Sequence, residues 1–239
     1  MATIKALKYH GGMPKEEIEN ENIKALQNGI HNLLKHINNL NNKFGIKTIV
    51  AINKYNHDTE KEINYLKSVL DEKNIEMSLV EAWGKGSKGA IDLAKKVVNL
   101  TYVEKDFGKY NNLENSFKYA YELEDSIKEK IEKVCKNIYG AEAIEFSEKA
   151  LQNIEMVENL GYSNFPICIA KTQYSFSDDP KNLECKEPFS ILIRDIVLRA
   201  GAEFIVVLAG NIMTMPGLPK IPASENMTIN EKGEIAGIF

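Results

Sequence analysis

Thr48-Ile49-Val50-Ala51-Ile52-Asn53 is a continuous apolar run, rich in β-branched residues and closed by a polar tip. A run without polar alternation fits a strand covered on both faces, as in a parallel sheet. Directly after it, Asp58-Thr59-Glu60-Lys61-Glu62 starts a helix with acidic residues in the first turn, where they complement the helix dipole. Ile63, Leu66, Val69 and Leu70 share one face of that helix. Residues 77–83 read as the next strand and 89–100 as the next helix. Working back, 3–9 reads as a buried strand turned by Gly11-Gly12. A helix then spans 20–43, with Ile23, Leu26, Ile30, Leu33, Leu34 and Ile37 at helical spacing and Gly45 beyond its end. Three strand–helix alternations predict an α/β fold with a parallel βαβ sheet, right-handed crossovers and flanking helices.

The pattern changes further on. Residues 113–138 read as one helix, with Leu123, Ile127, Ile131 and Val134 spaced for burial and Tyr139-Gly140 at its end. A shorter helix covers 147–160. Strands are expected at 165–170, 189–194 and 204–208, joined by turn-rich stretches such as Ser177-Asp178-Asp179-Pro180. Residues 210–222 hold three prolines and two glycines and exclude a regular element. The expected organisation is a βαβ domain over 1–105, then a helical segment and a mixed α+β part over 106–239.

Composition narrows the function. With 30 basic and 34 acidic residues the net charge is −4, which gives no attraction to nucleic acid or to a membrane surface. No apolar run reaches the length of about 18 residues that a membrane span needs, and no basic-then-apolar leader opens the sequence. Cys135, Cys168 and Cys185 form no C-x-x-C pair, so neither a disulfide framework nor a zinc site is indicated, and a reducing cytoplasm is expected. His10, His31, His36 and His57 make no metal-ligand spacing, and no G-x-S-x-G elbow is present.

Chemistry is expected at the carboxyl ends of the first sheet's strands, where open α/β sheets bind ligands. There the strands run into Asn53-Lys54-Tyr55-Asn56-His57-Asp58 and Glu81-Ala82-Trp83-Gly84-Lys85-Gly86. Tyr55 and Trp83, the single tryptophan, either cap the core or bracket a flat heteroaromatic ring, with about 0.5–1.5 kcal/mol per stacked pair beyond area burial. The loop through Lys85, Gly86 and Lys88 leads into a helix and can receive an anion, or is simply a solvated connection. It lacks the G-x-x-x-x-G-K-[ST] order of a phosphate-binding loop, which occurs nowhere in the chain. Asp178 and Asp179 can hold Mg²⁺, but Ser-Asp-Asp-Pro is first a turn signal. Met215-Pro216-Gly217 lies in an apolar loop suited to a pocket wall or to a structural plug.

Several of these stretches resemble the formate–tetrahydrofolate ligase family. Ala2 to Gly12 is similar to a family signature, with Lys5 in place of the usual arginine. Ala51 to Glu60 resembles the segment V-A-I-N-R-F-P-T-D-T, and Glu81 to Gly89 resembles W-x-x-G-G-x-G-G. Ala170-Lys171-Thr-Gln-Tyr174-Ser-Phe-Ser-Asp178-Asp179-Pro180 follows A-K-T-Q-Y-S-L-S-D-D-P almost letter for letter, and 200–219 resembles the family's I-M-T-M-P-G-L-P region. The resemblance implies that Tyr55 and Trp83 sandwich the pterin of tetrahydrofolate and that Leu79 adds an edge contact, with Asn56 beside them in place of a proline. It also implies that Lys85 and Lys88 face the folate's glutamate tail. Lys171, Asp178 and Asp179 gain no role from it.

By the same resemblance the chain is the C-terminal, folate-binding half of a longer enzyme that makes 10-formyltetrahydrofolate from ATP, formate and tetrahydrofolate through formyl phosphate. ATP and Mg²⁺ are then expected only with an N-terminal P-loop half, supplied as a partner, and a monovalent cation by family. Alone the chain is expected to be inactive, and to form a homo-oligomer. The alternative is a stand-alone folate or pterin binder.

Overall fold

The computed structural model describes residues 1–105, 109–112, 117–184, 188–212 and 220–237, with backbone alone for 102–105, 109–112 and 223. The decisive strand is β1 (Val50–Asn53), and it pairs in parallel with β2 (Met77–Val80), Ile52 opposite Leu79. The helix between them, α3 (Glu60–Asp71), starts from a full capping box. The Thr59 hydroxyl accepts from the Glu62 N–H, and the Glu62 carboxylate accepts from the Thr59 N–H. Ile63, Leu66 and Leu70 of α3 are buried against Val50 and Ile52 in one hydrophobic core.

The expected first strand is instead a helix, α1 (Ile4–His10). Thr3 caps it by accepting the Ala6 N–H at 3.0 Å, and Ile4, Leu7 and Lys8 fall on one buried face. The remnant of a strand is Ala2 alone. It donates to the Ala51 carbonyl at 2.8 Å and accepts from the Asn53 N–H at 2.9 Å, parallel to Ile52. α1 lies on α2 (Ile23–Asn38) almost backbone to backbone. A Cβ on Gly11 would stand 1.8 Å from the Ala25 carbonyl oxygen, and one on Gly29 would stand 1.7 Å from that of Leu7. Only glycine allows that crossing.

β2 ends at Val80, short of the expected Trp83. Ala82–Lys85 forms a single helical turn, α4, and a 3₁₀ segment (Gly86–Ala90) leads into α5 (Ile91–Thr101). Next come two antiparallel strands, β3 (Tyr102–Lys105) and β4 (Lys109–Asn112), where the sequence reading had no strands.

The long helix expected over 113–138 is shorter. Residues 113–116 lie outside the described set, 117–126 are irregular, and α6 runs over Ile127–Val134 before a π turn (Cys135–Tyr139). A capping box at Ser126 and Glu129 starts α6 there. Ahead of it, Asp125 accepts the Glu122 N–H at 2.9 Å, and the Tyr121 hydroxyl accepts the Ile167 N–H at 2.9 Å. Those bonds compete with helix for the same backbone.

A four-stranded sheet in the order β5-β7-β8-β6 then carries a second core. Its strands are β5 (Ala143–Phe146), β6 (Ile167–Ala170), β7 (Ser190–Arg199) and β8 (Phe204–Ala209), with α7 (Glu148–Asn159) against β7. β5 pairs in parallel with β7, β6 pairs in parallel with β8, and β7 and β8 are antiparallel. A short hairpin, β9 (Thr228–Ile229) and β10 (Ile235–Ala236), follows. The fold is mixed α/β with both parallel and mixed sheets. Polar contacts join its two cores: Asn39 donates to the Ile138 carbonyl at 2.9 Å, and Asn32 donates to that of Leu183 at 2.8 Å.

Candidate functional site

β1 and β2 end together, because Asn53 and Val80 are register partners and the Lys54 N–H donates to the Val80 carbonyl at 2.9 Å. Tyr55 therefore leaves β1, and Trp83 leaves β2, at the same edge of the sheet. Trp83 is 94% exposed on the α4 turn, and Tyr55 is 44% exposed. Large aromatics so exposed gain little for stability, which separates them from the core-capping alternative. Leu79 is half-buried and packs partly on the first core, and Asn56 is exposed.

The loop after Tyr55 is tightly built. Asp58 Oδ2 accepts the Tyr55 N–H at 2.8 Å, while the Asp58 N–H donates back to the Tyr55 carbonyl at 3.1 Å. The imidazole of His57 stacks on the Tyr55 ring, with centroids 5.6 Å apart and planes at 16°. Burial raises the Asp58 carboxyl above its ordinary range, with the Tyr55 N–H pulling the other way.

One turn further, Glu62 is fully buried and meets Lys8, also fully buried, at 2.9 Å. Glu62 also accepts the Asn22 N–H at 3.0 Å and the Thr59 N–H at 3.2 Å, and Lys8 also donates to the Asn20 carbonyl at 2.7 Å. Burial pushes the Glu62 carboxyl up, but the Asn22 N–H, Lys8 and the Thr59 N–H together hold it below its ordinary range. This pair fastens the starts of α2 and α3 behind the Tyr55 loop. No sequence signal pointed to it.

On the Trp83 side, Gly86 has φ +56°, and a Cβ on Gly89 would stand 2.5 Å from the Glu81 carbonyl, so both positions require glycine. The Glu81 N–H donates to the Gly89 carbonyl at 3.0 Å and closes the loop. Lys85 Nζ meets the Glu81 carboxylate at 2.6 Å, and that bond holds Glu81 below the ordinary carboxylate range. Lys88 is exposed on the same loop.

The second candidate segment is a structural knot. The Lys171 ammonium donates to the carbonyls of Thr172, Ser175 and Ser177 and lies 4.9 Å from the centre of the Tyr139 ring. Asp178 accepts the Leu192 N–H at 3.0 Å, and Asp179 accepts that of Lys181 at 2.9 Å. Both aspartates hold backbone, which favours the turn reading over a Mg²⁺ site. Among the described residues no group of three or more His, Cys, Asp or Glu is placed to hold a metal. Met215, Pro216 and Gly217 lie outside the described residues. Cys135 is buried and its thiol is pushed up to about 12 by that burial, whereas Cys168 is exposed. No helix among the described residues is long and apolar enough to cross a membrane.

The edge of β1 away from β2 is open below Ala2. Val50 and Lys54 donate toward β2, so the alternating Ala51 N–H and Ile49 carbonyl face the other side. Beside them is a largely apolar cavity of about 510 Å³, lined in part by Leu33, Ile37, Leu40, Thr48 and Ile49.

Comparison with known proteins identifies a family. Residues 1–239 match the family described as formate--tetrahydrofolate ligase. The chain is 45% identical over 239 residues to the formate--tetrahydrofolate ligases of Staphylococcus aureus strains JH9, Newman and JH1. Each match covers 100% of this chain and 41% of the relative, so the chain spans less than half of their length.

Proposed function

The chain belongs to the formate–tetrahydrofolate ligase family, and from that premise we propose that it is the C-terminal, tetrahydrofolate-binding part of such an enzyme. The observation that carries this reading is the pair of exposed aromatics, Tyr55 and Trp83, at one end of adjacent parallel strands. A reduced pterin inserted between them gains two stacked faces and removes apolar ring surface from water. Leu79 and Asn56 stand beside the slot. Lys88, together with Lys85 when it exchanges Glu81 for a ligand carboxylate, faces the folate's glutamate tail.

The complete reaction, ATP with formate and tetrahydrofolate giving 10-formyltetrahydrofolate, ADP and phosphate, needs a preorganised cradle for the transferred phosphoryl group. The described residues offer no phosphate-binding loop and no carboxylate set for Mg²⁺. That equipment, with any monovalent cation, belongs to an N-terminal P-loop half. This chain contributes the folate side and turns over only with that half present. The open rung of β1 and its apolar cavity support the partner reading, because a parallel strand laid there completes the ladder and covers Leu40 and Ile49. Association of two copies is the competing use of the same edge.

Trp83 is the sole tryptophan, so its fluorescence reports the site. Titrating tetrahydrofolate is expected to quench it, with matching calorimetric heat. Absence of both overturns the folate reading. Adding a separately expressed P-loop half is expected to give product dependent on all three substrates. Quenching without product in that mixture favours a stand-alone folate or pterin binder.

A further inference from the structure

We propose that His57 is a positioning residue for Tyr55: its imidazole stacks on one face of the Tyr55 ring and leaves the other face for the ligand. The inference rests on the folate reading above and adds to it a residue that neither the family resemblance nor the sequence pattern singled out.

Three observations carry it. The Tyr55 and His57 rings are nearly parallel, 16° apart in plane and 5.6 Å between centroids. Tyr55 is otherwise a half-exposed side chain at the end of a strand, where an unsupported ring exchanges rotamers. A ring already stacked on one face loses that freedom before the ligand arrives, so less ordering opposes binding.

The second observation is the polar surroundings of His57: its Nδ1 lies 3.9 Å from the Glu19 carboxylate and its Nε2 lies 4.0 Å from Asp58 Oδ1, both beyond hydrogen-bond reach. The third is that His57 Nε2 and Asp58 Oδ1 are both buried and make no hydrogen bond. Buried polar atoms are almost always paired, and these two lie 4.0 Å apart. Asp58 already fixes the Tyr55 backbone through its other oxygen, at 2.8 Å. One aspartate thus links the main chain of Tyr55 to the ring that supports its side chain. With a pterin between Tyr55 and Trp83, the proposed order of rings is His57, Tyr55, pterin and Trp83.

The test compares wild type, Tyr55→Ala, His57→Ala and His57→Phe by tetrahydrofolate quenching of Trp83 and by thermal unfolding. His57→Ala is expected to weaken binding about 3- to 10-fold, the size of one lost ring–ring contact, with little change in midpoint temperature. His57→Phe keeps a stacking ring and is expected to bind within about twofold of wild type. A purely structural role would move the midpoint and would not be rescued selectively by phenylalanine. The proposal is overturned if His57→Ala binds as wild type does, or if His57→Phe is as weak as His57→Ala. A wild type that neither quenches nor releases heat overturns the folate reading itself. Weakening by Tyr55→Ala without weakening by His57→Ala removes this inference alone.

Discussion

Two loops in this molecule follow the same family-like pattern of short polar residues after a strand, and they differ in how completely their polar atoms are used. After β6, the Lys171–Lys181 loop leaves little over. Lys171 serves three carbonyls, the two aspartates each hold an N–H, and a Cβ on Gly210 would stand 2.9 Å from that of Asp178. After β1, the Tyr55–Asp58 loop leaves His57 Nε2 and Asp58 Oδ1 buried without a hydrogen bond, beside the exposed Tyr55. Saturated polar groups hold a shape, whereas exposed rings are where a ligand has surface to cover. Likeness to a family motif was strong for both loops and could not rank them.

The largest effect expected is at the saturated support behind the open loop. Glu62→Gln leaves the buried Lys8 ammonium without its counter-charge, at a cost of about 3–5 kcal/mol, readable in urea unfolding. A loss near that of a surface pair would mean water reaches the site and the support is not saturated. Next, Lys171→Met removes the donor to three carbonyls and is expected to cost about 2–3 kcal/mol while leaving tetrahydrofolate affinity unchanged. Loss of affinity at constant stability would instead move Lys171 to the functional side of the comparison.

Trp83→Ala is the mirror case. Its exposure predicts a stability change within about 0.5 kcal/mol. Folate affinity, followed by calorimetry, is expected to fall about tenfold.

The smallest effect expected is pH dependence. Glu62 sits below its ordinary range, so its contribution is complete above that range and is lost as pH falls through its folded value. Asp58 sits above its ordinary range, so it opposes folding at neutral pH and that opposition fades as pH falls through its raised value. Asp58→Asn is therefore expected to flatten the stability curve above about pH 4 without lowering it at neutral pH, whereas Glu62→Gln lowers stability most at the upper end.

Much of this was legible in the sequence. The β1–α3–β2 unit followed from its apolar run, its acidic first turn and its helical spacing, and Tyr55 and Trp83 were nominated from their places after the strands. The error at 3–9 arose because a short apolar run fits strand or helix equally. Thr3 as a cap, with Ile4, Leu7 and Gly11 at helical intervals, was the signal that decides it. The overlong helix passed over the Ser126 and Glu129 capping box, which marks the true start. β5 was missed because four half-exposed residues carry too weak a pattern. His57 had been weighed only as a metal ligand, and its stacking on Tyr55 exists only once the chain turns at Asp58. The Lys8–Glu62 pair joins residues far apart in the chain, and local reading has no access to such a partner.

The glycine crossing of α1 and α2 has a mechanical consequence. With Gly11 and Gly29 each set against the other helix's backbone, the two helices meet at the crossing without an intervening side chain and are coupled there as a lever. One end of that lever is Ala2 on β1, and the other carries Asn39, bonded to the Ile138 carbonyl. A shift of Ala2 at the β1 edge is therefore coupled through the crossing to the Asn39 contact with the second core.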